Sequence, residues 1–225
     1  MRLADTRDPN SLSTKLRKKR DKFLRKIITD IYKEAGSVSI IDIGGTTNYW
    51  MRVGEQFLIN HHCRIDIYNL HKSELGDVGS LGDIVTLKVG NGCDLHDVKD
   101  NAYDLSHSNS VIEHVGVWEN MRSFANESQR VAKAHYLQTP YFWFPIDPHF
   151  HKMPFFHWLP RPIRRRFLGL LPLAHRGKIT DLEQALFAIE GAILLEKSEI
   201  RSLFPDSSIS KERFFGLTKS LIVSG

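Results

Sequence analysis

The sequence has little cysteine: two residues in 225, Cys63 and Cys93. Two cysteines make no disulfide framework, and their spacing is not one that holds a structural metal, so a hydrophobic core has to hold the fold. No apolar run approaches the ~20 residues a spanning helix needs. The opening MRLADTRDPNSLSTK lacks the apolar segment of a secretory signal. These absences set the expectation of a cytoplasmic chain in a reducing compartment. Two phosphate-binding signatures are missing as well. There is no Walker loop, which argues against ATP or GTP chemistry. The first glycine-containing loop, GGTTNYW, does not supply the Gly-x-Gly-x-x-Gly of dinucleotide dehydrogenases.

What is present is an ordinary globular composition, 41% hydrophobic and 25% charged, in a length that suits one large α/β domain or two small ones. The net charge of +5 is unevenly placed. Residues 1–35 hold 11 Lys/Arg against 5 Asp/Glu, and the remainder is close to neutral. The basicity therefore belongs to an N-terminal arm. A nucleic-acid binder would want basic residues spread over a face, so this placement argues against nucleic acid as partner. Within the arm, residues 11–35 read as an amphipathic helix. Leu16, Phe23, Leu24, Ile27, Ile28, Ile31 and Tyr32 form one stripe, and Lys15, Arg17, Lys18, Lys19, Arg20, Lys22, Arg25 and Lys26 crowd the other side. Such a helix either packs on the domain edge or makes peripheral contact with an anionic membrane.

From residue 36 onward, strands alternate with helices. Val38–Ile43 is a β-branched run entering a loop. A helix over Tyr49–Ile59, a strand over Cys63–Ile67 ending at Asp66, and strands over Asp83–Val89 and Tyr103–His107 follow. A helix over Val117–Ala132 leads to a strand over His135–Thr139. Seven of the nine prolines lie between 140 and 172, so the aromatic, Pro- and Arg-rich stretch at about 140–174 should hold no long regular element. Thr180–Leu203 is helical again, and Ile209–Phe214 with Leu221–Val223 form a closing pair. The expected fold is α/β: a Rossmann-like, seven-stranded, mostly parallel sheet with helices on both faces and an antiparallel C-terminal strand. The division is a basic helix over 1–35 and one domain over 36–225.

Four segments arrive in order: VSIIDIGGTTNYW, RIDIYN, VGNGCDL and YDLSHSNSVIEHV. In an open α/β sheet, ligands bind where loops converge at the carboxyl ends of the strands. These segments resemble the class I S-adenosylmethionine-dependent methyltransferases, in particular bacterial small-molecule and glycan members. The resemblance implies S-adenosylmethionine as cofactor. It places Asp42, Gly44, Gly45 and Thr46 in the cofactor loop, with Thr46 and Asn48 replacing the family's later glycines. It makes Asp66 the ribose-binding acid, with Ile67 beside it. Asn91, Gly92 and Cys93 would line the adenine, and Ser108 and Asn109 would lie beside the methionine part. The tail KERFFGLTKSLIVSG is similar to the family's final antiparallel pair.

A methyltransferase acting on a hydroxyl needs a base, and histidine suits that task near neutral pH. His114, His149, His151 and His157 compete. His149, beyond the fifth strand, is the first choice for a catalytic base, with Asp147 to orient it, against a role in which it only holds the loop. Ubiquinone-pathway O-methyltransferases carry a Glu-His pair similar to Glu113–His114, preceded by another Glu where this chain has Ser110, so no bound metal is expected. Trp143, Phe144, Phe150, Phe155, Phe156 and Trp158 offer an aromatic wall or core packing. Arg161, Arg164, Arg165 and Arg166 follow. That composition suits a sugar, a lipid-linked glycan or a secondary metabolite as O-methyl acceptor. The alternative is a non-catalytic relative that uses its basic arm to bind a membrane or a partner.

Overall fold

The run VSIIDI becomes the central strand β1 (Val38–Ile43), and Ile40, Ile41 and Ile43 are all buried. A strand covered on both faces has no solvent side to alternate with, which is why the run is nearly continuous in apolar residues. In the computed structural model, which describes residues 12–173 and 177–225, β1 pairs in parallel with β2 (Cys63–Asn69) and with β4 (Tyr103–Asn109). Strand β2 in turn pairs in parallel with β3 (Val85–Val89). The later strands are β5 (Ala132–Pro140), β6 (Ser208–Phe214) and β7 (Leu217–Ser224). The seven form one sheet in the order β3-β2-β1-β4-β5-β7-β6, mostly parallel, with the C-terminal strands antiparallel. This is the expected Rossmann-like architecture.

The chain divides into two compact units. The first comprises the described residues up to Asn109 together with 126–137 and 224–225. Its core is built from Ile40, Ile41, Ile65, Ile67 and Leu105, with Leu24 and Ile28 of α1 (Leu12–Ala35) also fully buried. Over the part whose side chains are described, from Arg20 onward, helix α1 packs on this core and contacts β1. The side chains of Lys15, Leu16, Arg17, Lys18 and Lys19 lie outside the described residues. Gly36, at φ 73°, ends the helix as expected of a left-handed C-terminal residue.

The helix expected over Tyr49–Ile59 is two, α2 (Thr47–Val53) and α3 (Glu55–Asn60). Gly54, at φ 114°, separates them, and the Arg25 guanidinium donates to the carbonyl of Val53 at the break.

The second unit comprises residues 110–125 and 138–223. Its own cluster joins Phe150, Phe156, Leu168, Leu173, Ala185 and Ile189. A fully buried Phe such as Phe156 contributes about 1.5–3 kcal/mol of transfer free energy. The proline-rich stretch does hold a regular element, α5 (Arg161–Leu170). Pro162 falls in its first turn, where no N–H is needed, so the ring starts the helix instead of breaking it. The helix expected over Thr180–Leu203 is again two, α6 (Leu182–Glu190) and α7 (Lys197–Leu203). Asp181 caps α6 by accepting from the Gln184 N–H at 2.8 Å, and the chain turns away after Gly191. Helix α4 (Trp118–Arg130) and strands β5 and β7 run through the division. No helix of the described residues is long and apolar enough to cross a membrane.

Candidate functional site

In the first unit, the loop after β1 is tied to its neighbours by backbone and amide hydrogen bonds. The N–H of Gly44 donates to the carbonyl of Tyr68 at 2.7 Å, and Asn69 Nδ2 donates to the carbonyl of Gly45 at 2.9 Å. The N–H of Gly90 donates to the carbonyl of Asn69 at 2.9 Å, and Ser108 Oγ donates to the carbonyl of Ile43 at 2.9 Å. The ends of β1, β2, β3 and β4 therefore meet, and the segments singled out in the sequence lie together at the carboxyl edge of the parallel strands.

The side chains differ from their expected roles. Asp42 is fully buried, and both its oxygens are engaged within the protein. Oδ2 accepts from Trp50 Nε1 at 2.7 Å, and Oδ1 lies 2.6 Å from His107 Nδ1. His107 stacks on Tyr136 with a centroid distance of 5.6 Å and packs on Tyr49 at 4.6 Å. This polar–aromatic cluster anchors the loop from below. His107 and Trp50 were not anticipated as part of it; the polar run YDLSHSN gives no local sign that its histidine is buried. Gly45 is explained by the same cluster, because a Cβ there would lie 1.6 Å from Asp42 Oδ2. Gly44 takes φ 75°, and Thr46 is exposed at the start of α2 without capping it.

Asp66 does not end its strand. Strand β2 continues to Asn69, and Asp66 pairs in register with Ile41 and Thr86. Its Oδ2 accepts from Lys88 Nζ at 2.7 Å and from Tyr103 Oη at 2.5 Å. Ile67 is buried in the core. The polar residue at the true strand end is Asn69, which sequence reasoning missed because RIDIYN offers an acid three residues earlier. Asn91 Oδ1 accepts from the N–H of Cys93 at 3.0 Å, closing a tight turn that includes Gly92. Asn109, at the end of β4, keeps a buried Oδ1 with no hydrogen-bond partner. Among the described residues of this edge, it is an acceptor aimed at nothing in the protein.

The second unit gathers a different set. A 3-10 turn at Ile112–His114 follows β4, and another at Pro148–Phe150 follows β5. Asp147 caps the second by accepting from the His149 N–H at 2.8 Å, and the same oxygen lies 2.7 Å from His149 Nδ1. His149 Nε2 lies 3.1 Å from His114 Nε2. His114 Nδ1 donates to the carbonyl of Gly191 at 2.5 Å. Glu113 is fully buried, with Oε2 accepting from Thr139 Oγ1 at 3.0 Å and Oε1 unpartnered. Burial pushes the Glu113 carboxyl up to about 7, against the Thr139 hydrogen bond and the nearby His149. Desolvation lowers His114. Desolvation also lowers His149, but the Asp147 carboxylate and the charge of Glu113 outweigh it, so His149 is raised overall.

His149 and Asp147 thus meet as expected, and His114 joins them. Ser110 is elsewhere in the scheme: at φ 58° it turns the chain, and its Oγ donates to Gln138 Oε1 at 3.2 Å. His157 Nε2 donates to the carbonyl of Phe142 at 2.8 Å, a packing role. The aromatic stretch divides evenly. Phe144, Phe150 and Phe156 are buried, whereas Trp143, Phe155 and Trp158 are exposed and mutually packed, with Trp158 at 5.8 Å from Trp143 and 5.0 Å from Phe155. A depression of about 280 Å³ lined by residues of α5, α6 and the segment before α6 includes Arg165 and Arg166 but none of the expected cofactor residues and no candidate histidine.

No family model matches the sequence, and no curated protein matches it. Solved structures do. The chain is similar to magnesium protoporphyrin IX methyltransferase from Synechocystis PCC 6803, solved with bound SAH, at 13% identity over 95% of this chain and 86% of that one, with a TM-score of 0.52. It is similar to DszA carbon methyltransferase at 11% identity over 96% of this chain and 55% of that one, with a TM-score of 0.59. It is also similar to a candidate Zn-dependent alcohol dehydrogenase from Rhodobacter sphaeroides at 10% identity over 84% and 83%, with a TM-score of 0.52. The chain spans about half the length of the DszA protein. At these identities the likeness shows the fold alone, a Rossmann-like sheet that methyltransferases and a dehydrogenase both carry.

Proposed function

We propose that the chain is an S-adenosylmethionine-dependent methyltransferase that O-methylates a sugar, a lipid-linked glycan or a secondary metabolite. The observation that carries the reading is the convergence of the β1, β2, β3 and β4 ends around Gly44–Gly45 and Asn69, with the partnerless Oδ1 of Asn109 at the same edge. Gly44, Gly45 and Thr46 would face the cofactor through their backbones. Asn69 and Asn91 would meet its nucleoside, and the Asn109 acceptor would meet a donor of its amino-acid part. The cofactor supplies a methyl carbon already activated by its sulfonium, so the protein's work is alignment and removal of the acceptor proton. The aromatic and arginine-rich composition of residues 140–174 supports an acceptor that joins a flat apolar face to a charged group.

A second reading has its own support. The carboxylates of Asp42 and Asp66, both expected to serve the cofactor, are satisfied inside the protein. A chain that keeps the fold but binds a partner instead would look the same at those two positions. Calorimetric titration of the purified chain with S-adenosylmethionine separates the two. The expected outcome is saturable one-to-one binding; no heat at millimolar cofactor removes the enzyme reading.

A further inference from the structure

We propose that Glu113, His114 and His149 form a binding site for a divalent transition-metal ion of the zinc or cobalt type. The argument starts from which ring nitrogens are already committed. A carbonyl oxygen only accepts, so the contact of His114 Nδ1 with Gly191 O at 2.5 Å makes that nitrogen the N–H donor. The contact of His149 Nδ1 with Asp147 Oδ1 at 2.7 Å fixes its N–H in the same way. Both Nε2 atoms are left with lone pairs, and they face each other at 3.1 Å. Two lone pairs at that distance repel unless a proton or a metal cation is held between or beside them.

The spacing fits such a cation. Two imidazoles on one tetrahedral zinc, with Zn–N bonds of about 2.0–2.1 Å, place their nitrogens about 3.3 Å apart. Each histidine also carries the outer hydrogen bond that metal-bound histidines show, one to a carbonyl and one to a carboxylate. The third donor is a carboxylate. Glu113, His114 and His149 offer ligand atoms that all lie within 4.8 Å of one another. Glu113 is fully buried, and its Oε1 has no partner. Its carboxylate supplies an oxygen donor to go with the two imidazole nitrogens. Two nitrogens and one oxygen favour a borderline ion over magnesium or calcium, which prefer all-oxygen shells. His114 reaches solvent, which gives an ion a way in. The motif Glu-His without a carboxylate at position 110 concealed this set, because the third ligand comes from a turn 35 residues later in the chain.

The competing state is a proton shared between the two imidazoles, with His149 acting as the oriented base of the sequence reading. Direct metal binding distinguishes them, and it is measured without cofactor or acceptor, so it stands apart from the methyl-transfer reading. Chelator-treated full-length chain is titrated with Co²⁺, following visible ligand-field absorption, and then with Zn²⁺ in competition. The expected result is one equivalent of Co²⁺ with a tetrahedral or five-coordinate spectrum, displaced by Zn²⁺. His114→Ala and His149→Ala should each weaken binding at least tenfold, and Glu113→Gln should do so while its amide keeps the Thr139 hydrogen bond. Asp147→Asn, a positioning variant, should weaken it about 10–100-fold and change the spectrum little. Circular dichroism on each variant checks that the fold is retained; for a variant that misfolds, the Asp147→Asn and Glu113→Gln results decide. Absence of stoichiometric Co²⁺ binding, or binding unchanged in all the folded variants, overturns the site.

Discussion

A Cβ on residue 45 would lie 1.6 Å from Oδ2 of Asp42. The glycine is therefore demanded by the protein's own carboxylate, which presses up against the loop from β1 while holding Trp50 and His107. Gly45→Ala should displace Asp42 and destabilise the chain by about 3 kcal/mol, since overpacking and loss of a buried network act together. Urea unfolding measures it. A change below about 0.5 kcal/mol, within the range of an inert surface substitution, would show that the loop relaxes freely.

Asn69 and Asp66 lie three residues apart on β2 but on opposite sides of the strand's alternation, and only Asn69 reaches the glycine loop. Asn69→Ala is expected to weaken S-adenosylmethionine binding by about tenfold, the effect of losing one hydrogen bond that orders the loop. Asp66→Ala should alter cofactor affinity less and stability more, because it leaves Lys88 and Tyr103 without their shared acceptor. A larger affinity loss from Asp66→Ala would restore the acid to the ribose.

Burial pushes the Cys63 thiol up to about 12. At pH 8 its thiolate fraction is negligible, and only the thiolate attacks alkylating agents. Iodoacetamide should modify Cys93 in the native chain and leave Cys63 unmodified until denaturant is added, as read by mass spectrometry. Rapid native labelling of Cys63 would contradict its burial.

Desolvation tends to raise the Asp104 carboxyl, but hydrogen bonds from Lys133 and from the side chain and backbone of Ser39 outweigh it, so it lies below its ordinary 3.8. A depressed carboxyl contributes stability that is present above the unfolded value and is lost as pH falls through the folded one. Below about pH 4, Asp104→Asn should therefore unfold with a shallower pH dependence than the parent, whereas at pH 7 it should be the less stable of the two. Parallel acid-induced unfolding curves would show that Asp104 is not linked to the acid limb.

Much of the architecture was legible because the periodicities are local. Val38–Ile43 matches its strand residue for residue, as a run rich in Val and Ile bounded by glycines should. The misplaced boundaries also have local causes seen only in context. Gly54 could sit within a helix, but at φ 114° with Arg25 at the break it separates two. Pro162 could end a helix, but in a first turn it begins one.

The sequence by itself determined the class of fold, the succession of strands and helices along the chain and the edge at which the loops gather, because apolar period and glycine placement are properties of neighbouring residues. It did not determine which polar groups are free. Asp42 against Trp50 and His107, Asp66 against Lys88 and Tyr103, and His114 against His149 are pairings across 8 to 65 positions of chain. Only the tertiary structure brings such groups within hydrogen-bonding distance, and a buried acid or imidazole takes its role from whichever partner satisfies it.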